Sequence, residues 1–264
     1  CCRTPWVSYL PPFRMAPGVY YVSGNDWVAC YLIDTGAGLI LIDTAMHETC
    51  YLMLECIRSL GYDPMDIKKI LLTHAHADHI GAARTMKELT GARVYLGERD
   101  LFMIHERKDL ICSDGYTCGD IEPDEIYLDD KPIVQGNVSV RTISTPGHTP
   151  GCTSMIFDVK EKDGRIYTCG IHGGVGLNTL SREFLEQNGL PLSLQKEFCE
   201  SLRMMDRLHV DICLPSHTNQ VGIIPLIGEI TDTHNPFVDE SIWHELMHER
   251  LDRMEALIRS VPLL

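Results

Sequence analysis

The stretch LLTHAHADHIGAA, residues 71–83, crowds His74, His76, Asp78 and His79 into six positions directly behind an apolar run. Ile70-Leu71-Leu72 reads as a buried strand, and an extended chain throws alternate side chains to the same side. His74 and His76 are therefore set to face one point together. Asp78 and His79 follow where the chain turns toward a helix from Gly81 onward, so they are set to face a second point beside the first. Neutral imidazoles and a carboxylate are ordinary zinc ligands, and two such points a few ångströms apart make a two-metal site. A plain solvated loop has no need of this composition.

Two later segments look like further ligand loops. TISTPGHTPGCTS holds His148 in a Pro-Gly-flanked turn after a strand, and ICLPSHTNQ holds His217 after a buried strand. With these, six candidate ligands divide into two sets of three. Each set leaves a position open for water, as a catalytic zinc site does and a closed structural site does not.

The rest of the chain supplies a frame for that loop cluster. After a Pro-rich lead, strand-like runs occur at VYYVSG, VACYLIDTG and LILIDTA, followed by a helix over about 47–60 closed by Gly61. The second half repeats the theme, with strands at VSVRTIS, TSMIFDV, RIYTCG and VDICLP, a long helix near 191–208 and a final helix from Glu240. Strands followed by helices in each half, with no linker between them, predict two sheets packed face to face with helices outside. The expected organisation is one domain over 1–264, with residues 1–17 as an N-terminal extension and 239–264 as a C-terminal helix. The loop-rich stretch 108–132 is expected to form a flap.

Composition excludes some partners. A net charge of −14 argues against nucleic acid, which is bound through clustered Lys and Arg. No apolar run approaches the roughly 20 residues of a membrane helix. Eleven cysteines, without a C-x-x-C pair and several within apolar runs, fit scattered thiols in a reducing compartment, so the expected location is the cytoplasm.

The segments THAHADHIG, STPGHTPG and LPSH, in this order, resemble the metallo-β-lactamase superfamily along nearly the entire chain. PPFRMAPGVYYVSG near the start and NPFVDESIW near the end are similar to the third subclass of metallo-β-lactamases. The resemblance implies a four-layer αββα sandwich and two Zn2+ ions per chain. His74, His76 and His148 would hold the first ion, and Asp78, His79 and His217 the second. It also implies a hydrolase acting on a small-molecule substrate with a carbonyl group: a β-lactam amide, or alternatively a lactone, thioester or other ester. Members of that subclass are usually exported, which is the alternative to a cytoplasmic location.

RIYTCGIHGGVG departs from the wider superfamily, which has a bridging aspartate after this strand; here Cys169-Gly170 stand in its place. The third subclass lacks that acid too, but has small hydroxyl residues just beyond, where this chain has His172 and Gly173-Gly174. Three readings compete: His172 as an extra ligand or a donor to metal-bound water, Cys169 as a thiolate ligand, or both as packing residues. His172 ranks above Cys169, because the glycines leave it room to point into the cleft. Finally, HELMH (244–248) matches the zincin pattern, yet no third ligand follows it, and its helix carries a packing face. The mechanism expected is attack on the carbonyl carbon by hydroxide formed at the paired zinc ions, with Asp78 orienting the nucleophile and shuttling its proton.

Overall fold

In the computed structural model, residues 4–111, 117–231 and 233–260 are described. The ends of the expected terminal segments, Cys1, Cys2 and Cys112, and part of the expected flap lie outside them. Among the described residues, twelve strands form two sheets. The first runs in chain order: β1 (Phe13–Ala16), β2 (Val19–Tyr21), β3 (Tyr31–Asp34), β4 (Leu39–Ile42), β5 (Ile67–Leu71), β6 (Arg93–Leu96) and β7 (Glu125–Ile126). The second has the order β12-β11-β10-β9-β8, from β8 (Ile133–Gln135), β9 (Val138–Ser144), β10 (Thr153–Lys160), β11 (Ile166–Ile171) and β12 (Ile212–Cys213).

The apolar strand runs are continuous because each sheet is covered on both faces. Leu32 and Leu41 pack outward with α1 (Cys50–Ser59) and α3 (Ala83–Thr90). Their neighbours Ile33, Ile40 and Ile42 point inward, where they meet Met155, Phe157 and Ile171 of the second sheet. Ile156, between two of those, turns to the other side and joins Phe198, Leu202 and Trp243. Those three belong to α6 (Ser193–Met205) and α8 (Glu240–Arg259). Three apolar layers thus separate four structural ones, and the αββα sandwich is present.

The parallel strands place the functional loops. β4, β5 and β6 run parallel to one another, as do β11 and β12. The loops after β4, β5, β11 and β12 therefore leave the strands' C-terminal ends, where crossover topology opens a crevice. Short α2 (Ala77–Ile80) follows β5 directly, and a turn from β9 into β10 brings up residue 148. The remaining helices are α4 (Leu101–His105), α5 (Arg182–Gln187) and α7 (Ile223–Leu226). No helix among the described residues is long and apolar enough to cross a membrane.

Candidate metal centre

The six side chains meet where these loops converge. His74, His76 and His148 form one group, and Asp78, His79 and His217 a second; within each, all ligand atoms lie within 4.8 Å of one another. His76 Nδ1 is 3.0 Å from His148 Nε2, and His79 Nε2 is 3.4 Å from His217 Nε2. Asp78 Oδ2 stands 3.7 Å from His79 Nε2 and 3.5 Å from His217 Nε2. The rings of His74 and His79 are 4.0 Å apart, so the groups adjoin.

Neighbouring acceptors decide which ring nitrogen is free. A carbonyl or carboxylate can only accept, so the nitrogen facing it carries the proton and the opposite one keeps its lone pair. His74 Nδ1–H donates to the Gly173 carbonyl at 2.7 Å, and His148 Nδ1–H to the Gly176 carbonyl at 3.0 Å. His79 Nδ1–H donates to Asp43 Oδ2 at 2.7 Å. His74 Nε2 is left buried with no hydrogen-bond partner, a lone pair that a metal ion would satisfy. Burial and the neighbouring imidazoles hold His74 and His76 well below the ordinary histidine range. Burial likewise takes His148 and His217 down to about 4. His79 differs: burial lowers it, but Asp78 and Asp43 outweigh that and raise it. Asp78 is raised by burial and lowered more by the four imidazoles around it, ending below its usual value. Three nitrogens on one side, and two nitrogens with a carboxylate on the other, fit divalent metal ions.

Two carboxylates that sequence reasoning passed over hold this arrangement. Asp43 ends the LILI strand, fully buried, with its backbone in the left-handed region at φ 58°; Ala45 follows at φ 54°. Such conformations cost on the order of 1–3 kcal/mol in non-glycine residues and persist where the surroundings enforce them. Here Asp43 accepts from Thr73 N–H at 2.7 Å and the Thr73 hydroxyl at 2.8 Å besides His79. Asp100 is buried as well. Its carboxylate accepts from Ala75 N–H (2.9 Å), the Thr149 hydroxyl (2.7 Å) and Gly151 N–H (2.6 Å), joining the first ligand loop to the turn that carries His148. Burial pushes its pKa up to about 6, against the downward pull of those three donors. The readable signal was an acid placed against apolar strand and helix patterns. The third anchor is Tyr31 of β3, whose hydroxyl donates to the Pro215 carbonyl at 2.7 Å beside the His217 loop.

His172 sits behind the ring of His148 and packs away from solvent. It is 3% exposed, edge-on to Phe198 with ring centroids 6.4 Å apart, and is absent from the cavity lining. The glycines make room for a different ring: a Cβ at Gly174 would lie 2.7 Å from His148 Cδ2, and one at Gly176 2.7 Å from His148 Cε1. Cys169 packs fully buried between the sheets, and burial keeps its thiol protonated. His47, His105, His209 and His234 do not line the cavity either. Besides these groups, the cavity is lined by Trp27, Ile111, Val175, Asn178, Ser216 and Gln220, among others, and, among the described residues, by no Lys or Arg.

The family model for the metallo-beta-lactamase superfamily matches residues 26–162. Among solved structures, BJP-1, a subclass B3 metallo-beta-lactamase of Bradyrhizobium japonicum, is 26% identical with a TM-score of 0.88, over 98% of this chain and 97% of that one. The metallo-beta-lactamase GOB-18 from Elizabethkingia meningoseptica is 27% identical with a TM-score of 0.85, over 97% and 95%. An N-acyl homoserine lactonase of a Bacillus species is 27% identical over 165 residues, 53% of this chain and 61% of that protein. The chain spans 56%, 52% and 62% of the length of three other curated relatives it matches. With the family model covering just over half of its residues and five of the six grouped side chains inside the matched span, the chain belongs to the metallo-beta-lactamase superfamily.

Proposed function

We propose that the chain is a dinuclear zinc hydrolase that opens a β-lactam amide ring. The observation carrying this reading is the pair of three-residue groups that could each hold a metal ion, within a chain that overlays a subclass B3 metallo-beta-lactamase over 98% of its length. His74, His76 and His148 would hold one zinc ion; Asp78, His79 and His217 would hold the other. Such a pair would supply Lewis acidity and lower the pKa of a bound water toward neutrality.

The chain's own groups then do the rest. Asp78, held ionised by the surrounding imidazoles, accepts a hydrogen bond from the attacking water, orients it and takes up its proton. Trp27, Ile111 and Val175 wall the cleft with apolar surface, which positions the ring and excludes bulk water. Asn178, Ser216 and Gln220 offer neutral donors to a substrate carbonyl or carboxylate. The test is hydrolysis of a chromogenic cephalosporin by the zinc-loaded protein. Asp78→Asn is expected to lower turnover by about 10²–10⁴-fold, the worth of a placed acid–base group. Undiminished turnover in that variant rules the mechanism out.

A lactone is the second reading, favoured by the similarity to an N-acyl homoserine lactonase and by His172-Gly173-Gly174 in place of hydroxyl residues. Running an acyl homoserine lactone beside the cephalosporin separates the two: opening of the lactone alone reassigns the substrate and leaves the metal centre standing.

A further inference from the structure

A second cleft lies where the two sheets end side by side. β7 closes the first sheet and β8 the second, and the segment 127–132 that joins them contributes a wall. The cleft measures about 200 Å³ and shares no lining residue with the metal cavity. That is room for one ring and its substituent, below the roughly 300–1,000 Å³ of drug-sized sites.

Its charge runs against that of the chain, which has 37 acidic residues to 23 lysines and arginines. Lys69, Arg93 and Lys131 line it, with Glu125 as the single acid of the lining. Glu125 is taken by Arg93 at 2.9 Å. Among the described residues neither lysine has a carboxylate partner, and Lys69 Nζ stands instead 6.0 Å from the centre of the Tyr95 ring. Asp129 and Asp130, next along the chain, do not line the cleft, and Asp129 accepts from Ser144 N–H at 3.2 Å. Two positive charges are thus left uncompensated, and a bound anion is favoured beside them.

The other walls are apolar. Tyr95 and Tyr127 lie nearly parallel with ring centroids 6.1 Å apart, and the Tyr127 hydroxyl is fixed by donating to the Leu72 carbonyl at 3.0 Å. Leu128 and Val134 are 48% and 59% exposed, apolar surface that a bound ring would take out of water. The strands themselves, two residues in β7 and three in β8, offer little edge for a peptide to pair with. We propose that this cleft is an accessory binding site for a small aromatic carboxylate. The Lys69 and Lys131 ammonium groups hold the acid, and Tyr95, Leu128 and Val134 hold the ring. This site stands or falls apart from the proposed hydrolase reading, since the two linings are separate.

The test is a titration of the zinc-loaded protein with benzoate, followed through amide NMR shifts. Amides within 127–134 are expected to shift together and to saturate at benzoate on the order of millimolar. Benzyl alcohol, with the ring but no charge, should bind there about tenfold more weakly, and so should benzoate to a Lys69→Gln/Lys131→Gln variant. Carboxylate bound at the metal centre would shift the amides of residues 74–79 instead, equally in wild type and variant, so it is read separately. Lys131→Gln alone, at an exposed position, gives the comparison should the double variant fold poorly. No saturable shift within 127–134, or equal affinity of wild type and variant for benzoate, would overturn the proposal.

Discussion

Asp100 contributes no ligand atom, yet its carboxylate draws in the backbone on both sides of the cleft. Asn at this position keeps the volume but turns an N–H toward a donor it cannot satisfy, which costs about 1–3 kcal/mol. Asp100→Asn should therefore lower the melting temperature and weaken zinc uptake by the His74, His76 and His148 group about tenfold or more, read by competition with a chromogenic chelator. Its pH signature has a definite sign. The folded pKa of about 6 lies above the ordinary 3.8, so this group's stabilisation is present below about pH 4 and lost as pH rises through 6. The stability gap between metal-free wild type and variant should narrow over that range. His148 and His217 act oppositely. Folded values near 4 against 6.5 mean that the metal-free protein loses stability as pH falls from 6.5 to 4, because the unfolded chain takes protons that the folded one refuses. At this scale the convergence of the six side chains into two groups was legible, since alternation and Pro-Gly turns announce them locally. Asp43 and Asp100 were not: what makes each important is a partner 25 to 51 residues away. For His172 the neighbouring glycines are not a guide to direction: Gly174 lies against the ring of His148 and Gly173 against the backbone of Thr153.

Elements were read where they were long. The helix over 47–60 and the second-half strands β9, β10 and β11 lie where periodicity puts them. By contrast β1, β7, β8 and α5 were missed, as runs of two to six residues hold too little pattern to register. The four residues of α2 were absorbed into a turn, although they carry Asp78 and His79. That helix sits almost on the preceding segment. A Cβ added at Gly81 would lie 2.4 Å from the Ala77 carbonyl oxygen, 2.6 Å from His47 N and 2.8 Å from the Ala45 oxygen. Gly81→Ala should consequently push α2 off its seat at a cost of about 1–3 kcal/mol. Zinc affinity of the Asp78, His79 and His217 group should fall more than that of its neighbour; equal losses at both would show general loosening instead.

Across the whole molecule, both groups are assembled from distant parts of the chain. His217 lies beyond residue 162, where the family match ends, and completes a group begun at Asp78. Metal bound there ties loops of both sheets together, so its removal should be felt globally. Ions present at 100 times their Kd add roughly 2.7 kcal/mol per site. For a chain of this size a chelator should then lower the melting temperature by on the order of 5–10 °C, in one cooperative transition if the shared inter-sheet core governs unfolding. The two-sheet architecture was readable in advance because runs such as LILI are apolar on both faces, which only a covered sheet tolerates.

The cavity's floor and walls have different origins. Its ligands sit at strand ends and are locked by Asp43 and Asp100, whereas Trp27, Ile111, Asn178 and Gln220 lie in connecting loops. A lineage built on this plan can exchange its walls one loop at a time while the reactive centre is inherited intact. Divergence in what is recognised is thereby uncoupled from divergence in how a bond is broken.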